Sequence, residues 1–144
     1  MTAMRGACLC GAVRLEADLA GAEAHACHCE MCRRWTGAAF FSVEVAPAAL
    51  RFDEPAPIAT RQTSDWAERG WCAGCGAHLF YRLTAGPKAG WTYLSLGLLD
   101  DPSAVTLGGE IYIDSKPECY AIAGEHPRLT KAEFEAAVAA EFDA

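Results

Sequence analysis

Seven of the chain's eight cysteines fall into three tight clusters: Cys8-Leu-Cys10, Cys27-His-Cys29-Glu-Met-Cys32 and Cys72-Ala-Gly-Cys75. Two, three and two thiols at these spacings do not make one closed tetrahedral site. They divide naturally into a set of four and a set of three. A zinc ion with four protein ligands is coordinatively finished, whereas one with three keeps a position for water or substrate. The odd count therefore points to chemistry as well as to scaffolding.

The chain has 144 residues, the size of one ordinary domain, and the sequence predicts a single zinc domain over residues 1–144. With 52% hydrophobic and 22% charged residues it has the composition of a globular protein. Its amino-terminal residues lack the apolar run of a signal peptide. No stretch approaches the about 20 apolar residues needed to span a bilayer. The expectation is a cytoplasmic protein with no membrane partner, in which thiols stay reduced and clustered cysteines bind metal rather than pair as disulfides. Formal net charge is −7, from 12 Lys+Arg against 19 Asp+Glu, without a basic run. That balance argues against a nucleic-acid partner, which needs a cationic face to displace phosphate counterions.

Between Val13 and Leu19, apolar Val13, Leu15, Ala17 and Leu19 alternate with Arg14, Glu16 and Asp18, so the sequence predicts a half-buried strand over 12–19. A turn near Gly21 leads to an extended approach to Cys27, then a helical turn over 30–36 closed by Gly37. Further strands are expected over 40–45, 58–63, 67–71, 78–83, 91–99 and 110–114, where aromatic and β-branched residues collect. Thr130-Lys-Ala-Glu133 is a capping-box sequence, and Phe134, Val138 and Phe142 recur every four residues behind it. The chain reads as mainly β and antiparallel, pinned by metal, with a short C-terminal helix over about 131–142.

Cys8-Leu-Cys10-Gly11 and Cys72-Ala-Gly-Cys75-Gly76 each end in glycine, which permits a tight turn and close approach of backbone to sulfur. Paired, they make a four-thiolate site stapling segments about 60 residues apart. Cys27, Cys29 and Cys32 cover three corners of a second tetrahedron. A fourth ligand for it could come from Cys119, His28, His25 or His78, and Cys119 is the leading competitor. His28, flanked by ligands, is expected to project away from the metal. Three thiolates donate strongly and blunt a metal's acidity toward water, so the site suits a soft sulfur ligand more than hydrolysis. Arg33 and Arg34 follow the last thiolate and are either holders of a substrate carboxylate or solvated charges on a turn. Trp35, Phe40, Phe41 and Trp66 are either pocket walls or core.

The frames Gly6-Ala-Cys8-Leu-Cys10-Gly11-Ala-Val13, Cys27-His-Cys29-Glu-Met-Cys32-Arg33-Arg-Trp35-Thr-Gly37 and Trp71-Cys72-Ala-Gly-Cys75-Gly76 resemble the glutathione-dependent formaldehyde-activating enzyme family, whose domain the centromere protein V proteins share. The likeness extends through Gly97-Leu-Leu-Asp100-Asp101-Pro102, Glu110-Ile-Tyr112-Ile-Asp114-Ser115-Lys116-Pro117 and Pro127-Arg128. It implies a β-tent fold of antiparallel sheets around a structural zinc on Cys8, Cys10, Cys72 and Cys75. It also implies a catalytic zinc on Cys27, Cys29 and Cys32, and addition of glutathione to formaldehyde to give S-hydroxymethylglutathione. Cys119 stands where that family usually carries an aromatic or polar residue.

Two zinc ions per chain are thus expected, the second more labile because three ligands hold it. The first functional reading is a carbon–sulfur lyase, similar to an S-(hydroxymethyl)glutathione synthase, joining glutathione or a related thiol to formaldehyde or another small aldehyde. Arg33 and Lys116 are its candidates for binding the carboxylates of the thiol. The alternative is a non-catalytic zinc module with two closed sites that binds a protein partner. A third reading is a redox sensor whose three-thiol cluster ejects zinc on oxidation.

Overall fold

The computed structural model of the chain describes residues 2–19 and 21–143, the side chains of residues 2, 142 and 143 excepted. The strands are β1 (Thr2–Ala7), β2 (Arg14–Leu19), β3 (Glu23–Cys27), β4 (Phe40–Val45), β5 (Leu50–Phe52) and β6 (Ile58–Gln62). They continue with β7 (Ala67–Cys72), β8 (His78–Leu83), β9 (Thr92–Ser95), β10 (Thr106–Ile111) and β11 (Arg128–Leu129). The helices are α1 (Glu30–Thr36) and α2 (Lys131–Asp143). The fold is mainly β with a short C-terminal helix, as the alternating patterns predicted. The elements group into two compact units, one of Met1–Ala22 with Ser42–Thr106, the other of Glu23–Phe41 with Leu107–Ala144.

In the first unit, β1 and β2 form an antiparallel hairpin running from Thr2↔Leu19 to Ala7↔Arg14, and β5 pairs along the other edge of β2. Leu15, Ala17 and Leu19 are buried while Arg14 faces solvent, which is the period-2 pattern realised. Strands β4, β9, β8, β7 and β6 lie side by side in that order, all antiparallel. Val43, Val45, Leu79, Phe80 and Leu94 from these strands are buried. Two glycines set close approaches. A Cβ on Gly6 would lie 2.4 Å from the Leu98 carbonyl oxygen, and one on Gly70 would lie 2.4 Å from the Phe80 ring.

In the second unit the strand order is β11, β10, β3, and β11 runs parallel to β10 with Glu110 opposite Arg128. Gly37 adopts the left-handed conformation that closes α1, as expected (φ 95°), and its N–H donates to the Arg33 carbonyl. The capping box of α2 also forms: the Thr130 N–H donates to Glu133 Oε1 at 2.9 Å, and the Glu133 N–H to Thr130 Oγ1 at 3.2 Å. The apolar face of α2 is only half-buried at Phe134 and Val138, with Phe134 meeting the Tyr112 ring at 5.7 Å. Phe142, third in the expected stripe, lies outside the described side chains.

Several boundaries differ from the sequence reading. The strand expected over 12–19 starts at Arg14, because Ala12 and Val13 belong to the hairpin loop. The strand expected over 91–99 stops at Ser95, where Leu96–Leu98 turns as a short 3-10 segment that buries Leu98. The strand expected over 110–114 begins earlier and ends at Ile111, because Tyr112 takes a left-handed backbone (φ 57°, ψ 42°) that breaks the ladder. Strands β1, β5 and β11 are too short or too glycine-marked to show a period. Gly6→Ala should lower stability by about 1–3 kcal/mol, since backbone rather than a movable side chain opposes the new methyl. Urea denaturation of the purified variant checks this.

Candidate metal centres

The β1–β2 hairpin loop carries Cys8 and Cys10, and the β7–β8 loop carries Cys72 and Cys75. Both loops close in the same way. The Cys8 N–H donates to the Val13 carbonyl and the Cys72 N–H to the Ala77 carbonyl, each at 3.0 Å. Gly11 and Gly76 then take left-handed conformations (φ 80° and 81°), with their N–H groups on the carbonyls of Cys8 and Cys72. A side chain with a Cβ is strained there, so the glycine after each pair is required by the turn.

The four sulfurs lie within 4.8 Å of one another. Cys8 Sγ is 3.6 Å from Cys10 Sγ, and Cys10 Sγ is 3.8 Å from Cys72 Sγ. Thiolates about 2.3 Å from one tetrahedral ion lie about 3.8 Å apart, so the group fits a four-thiolate metal. Backbone donors already face the sulfurs. The Val13 N–H points at Cys8 Sγ (3.3 Å) and the Cys75 N–H at Cys72 Sγ (3.5 Å), with Ala12 and Ala77 donating to Cys10 and Cys75. Burial raises the Cys8 thiol, but the Val13 N–H and the three neighbouring thiols outweigh it and bring it down to about 6. Cys10 receives the Ala12 N–H, yet the surrounding thiols and burial drive it up to about 11. Without a cation the cluster resists placing a negative charge on every sulfur; a bound dication removes that resistance.

The second group forms where β3 gives way to α1. Cys27 ends the strand, Cys29 is the N-cap of the helix, and Cys32 sits buried in its first turn. Cys29 has an extended backbone, and its sulfur accepts the Cys32 N–H at 3.3 Å. The sulfurs of Cys27, Cys29 and Cys32 lie within 4.8 Å of one another, so this group too can hold a metal ion. Hydrogen bonding to Cys29 and Cys32, then burial and the Cys32 charge, push the Cys27 thiol far up. Among the described residues, Cys119, His25, His28 and His78 do not join either converging group. Cys119 is exposed, and His25 is exposed on β3. His78 donates from Nε2 to the Phe80 carbonyl (3.1 Å) and meets the Ser95 hydroxyl at Nδ1 (3.4 Å). Burial and the Arg69 charge bring it down to about 4.

His28 lies between two of the three thiols and turns the other way, as expected, into a buried polar chain. Its Nε2–H donates to Glu110 Oε1 at 2.6 Å, and its Nδ1 meets the Tyr120 hydroxyl at 3.1 Å. An ionised carboxylate only accepts, so Nε2 of His28 carries a proton whichever form the ring takes. The other oxygen of Glu110 takes the His126 Nε2–H (2.6 Å) and the Arg128 Nε–H (2.9 Å). Burial alone would raise the Glu110 carboxyl. The bonds from His126 and His28, the charge of His28 and the bond from Arg128 outweigh it and hold the carboxyl below its ordinary range.

Of the expected substrate-binding side chains, Arg33 is half-buried on α1 and Arg34 pairs with Glu30 (2.9 Å). Lys116 donates to the carbonyls of Pro117 and Tyr120 and lies over the Tyr120 ring. Phe40 is core, Trp35 and Phe41 are half-buried, and Trp66 is exposed with its indole N–H on the Tyr81 hydroxyl (3.0 Å). Sequence reasoning singled out neither Glu110 nor Tyr120 as site residues. A carboxylate inside the apolar Glu110-Ile-Tyr-Ile run was the available signal.

Comparison with known proteins brings three findings. The sequence model of the glutathione-dependent formaldehyde-activating enzyme family matches residues 3–115. An uncharacterized lyase of Schizosaccharomyces pombe is 30% identical over 132 residues, covering 90% of this chain and 93% of that protein. A crystal structure of a Rhodobacter sphaeroides protein shares the fold with a TM-score of 0.58 at 22% identity, covering 87% of this chain and 99% of that one. No helix among the described residues is long and apolar enough to cross a membrane.

The lowered Glu110 carboxyl sets a pH dependence. Its stabilisation is complete above the ordinary value of 4.5 and is lost as pH falls through the lower folded-state value. Glu110→Gln should therefore cost about 3–5 kcal/mol at pH 7, and the gap to wild type should narrow as pH drops below 4.5. Urea midpoints of both proteins between pH 7 and pH 3 measure that gap.

Proposed function

Because the chain belongs to the glutathione-dependent formaldehyde-activating enzyme family, we propose that it is a zinc-dependent carbon–sulfur lyase-type enzyme joining a small thiol to a small aldehyde. The thiol in this reading is glutathione or a close relative, the aldehyde formaldehyde or a similarly small carbonyl. The observation that carries it is the convergence of the Cys27, Cys29 and Cys32 sulfurs within 4.8 Å at a strand–helix junction. Three thiolates fill three corners of a tetrahedron and leave the fourth for substrate. Zinc bound there would supply a soft position that keeps a substrate thiol deprotonated near neutral pH.

The reaction balances without an oxidant. The substrate thiol gives up its proton, and its sulfur lone pair forms a C–S bond to the aldehyde carbon. The C=O π pair moves to oxygen, which takes a proton and stays on the carbon as the hydroxyl of an S-hydroxymethyl product. Cys27, Cys29 and Cys32 would hold the metal, which would supply a soft position for the thiol, and juxtaposing the two reactants supplies rate. Arg33, one residue past Cys32, is the candidate to pair with a carboxylate of the thiol. Lys116 is a second candidate, and would exchange its bonds to the Pro117 and Tyr120 carbonyls for that carboxylate. Cys8, Cys10, Cys72 and Cys75 would hold a second zinc in a structural role, since four thiolates complete a tetrahedral set. A reducing compartment, the cytoplasm, suits all seven thiolates.

Native mass spectrometry of chelator-free protein tests this reading. Wild type should carry two zinc ions and bind one glutathione. Cys29→Ser should keep its circular dichroism, lose one zinc and the glutathione, and fall to the spontaneous rate of thiol addition to formaldehyde. Retention of glutathione binding and turnover by Cys29→Ser would sink the assignment. Cys72→Ser should behave differently, losing the other zinc together with cooperative thermal unfolding, because metal-binding free energy at a closed site is folding free energy.

A further inference from the structure

The buried polar chain through Glu110 is larger than a core needs. Glu110 is 1% exposed and His28 1% exposed, and neither touches solvent enough to keep its polar atoms for solubility. A buried carboxylate costs folding energy unless it is fully partnered, so its retention calls for a role. Its partners come from two separate segments of the chain. His28 belongs to the Cys27–Cys32 loop, while His126 lies just before β11 and Arg128 within it.

The attachment of His28 is double. Its backbone N–H donates to the Ile111 carbonyl at 3.1 Å, and its side chain reaches Glu110 one residue earlier on the same strand. The residue between Cys27 and Cys29 is thus fixed to β10 at both backbone and side chain. In extended chain, neighbouring side chains point to opposite sides, so fixing the rotation of His28 fixes where Cys27 and Cys29 aim. Tyr120 fixes the other ring nitrogen. Its hydroxyl meets His28 Nδ1 and receives the Ala39 N–H. Lys116 in turn ties the Tyr120 carbonyl and lies 5.0 Å from the Tyr120 ring.

We propose that Glu110, His28 and Tyr120 are positioning residues of the three-thiol centre, a buried Glu–His–Tyr chain that sets the aim of Cys27 and Cys29 and latches the segment from Lys116 to Arg128 onto the metal-binding loop. This inference rests on the reading that Cys27, Cys29 and Cys32 hold a metal. None of its members touches substrate or metal; they act through the backbone on either side of His28. The four-thiol group draws its order from its own two hairpin loops and does not use this chain.

Cobalt(II) titration of the full-length, metal-stripped protein tests the inference, because thiolate-to-cobalt charge-transfer bands report both affinity and tetrahedral geometry without any turnover. Wild type should take up two cobalt ions, and Cys29→Ser, which retains the four-thiol centre, identifies which bands belong to which. His28→Ala and Glu110→Gln should weaken the three-thiol centre roughly 10- to 100-fold and leave the four-thiol centre unchanged. His28→Gln, which still reaches Glu110, should recover most of that loss, and Tyr120→Phe should cost only a few-fold. If Glu110→Gln does not fold, the His28 and Tyr120 variants decide alone. Unchanged cobalt affinity in His28→Ala would overturn the inference, as would equal weakening of both centres, which marks a general packing role. Wild type that binds a single cobalt would overturn the functional reading together with this inference, whereas two cobalt ions with indifferent variants would overturn this inference alone.

Discussion

Crowding sulfurs within 4.8 Å of one another is the constraint around which this chain is built. Thiols at that spacing hydrogen-bond one another, which drives Cys10 and Cys27 up, while the Val13 N–H and the neighbouring thiols bring Cys8 down against its burial. A dication resolves the conflict by favouring the thiolate at every position. Backbone donors aimed at the sulfurs suit such an ion. Such donors are fixed by turn geometry, so they add no ordering cost when the ion binds.

The two centres meet the constraint by different local means. Cys8–Cys10 and Cys72–Cys75 lie in hairpin loops that end in left-handed glycines, and each loop is held by its own backbone ladder. The Cys27–Cys32 segment has no such closure, since it passes from the end of β3 into a helix of seven residues. Its order depends on the N-cap role of Cys29 within the segment and on His28, which is bonded to β10 and to Tyr120. A centre held from outside its own loop can release a ligand position without losing the turn that defines it. A centre held by its own loops cannot, and the proposed division into a working site and a staple rests on that asymmetry.

The sulfur groups were legible because metal ligation demands a few residues at short, fixed separations, and because glycine after a cysteine pair has a backbone reason. Strong alternation was legible for the same kind of reason at β2, and the capping box at α2 follows from local hydrogen bonding that needs no tertiary context. What escaped was set by tertiary partners. Tyr112 ends β10 by a backbone conformation that no propensity assigns to tyrosine, and Leu96–Leu98 is a buried turn whose leucines read as strand. Glu110 escaped because its partners are 16 to 82 residues away, at distances over which a single sequence carries no spacing rule.

Glu110 also bears on how Lys116 should be understood. The sequence offers Lys116 as a cation for a substrate carboxylate, yet its ammonium is engaged with two carbonyls of its own turn and faces the Tyr120 ring. Those contacts hold the residue whose hydroxyl braces His28. A lysine in that position serves substrate only by loosening Tyr120, and thereby the brace on the three-thiol loop. Arg33 lies on the helix that begins at the thiols, and its carbonyl accepts the Gly37 N–H that closes that helix. On the proposed reading, the division would be between Arg33, beside the three thiols and open to an incoming ligand, and Lys116, engaged with the turn that carries Tyr120. Charge alone does not separate these two uses; the partner each ammonium or guanidinium would have to abandon does.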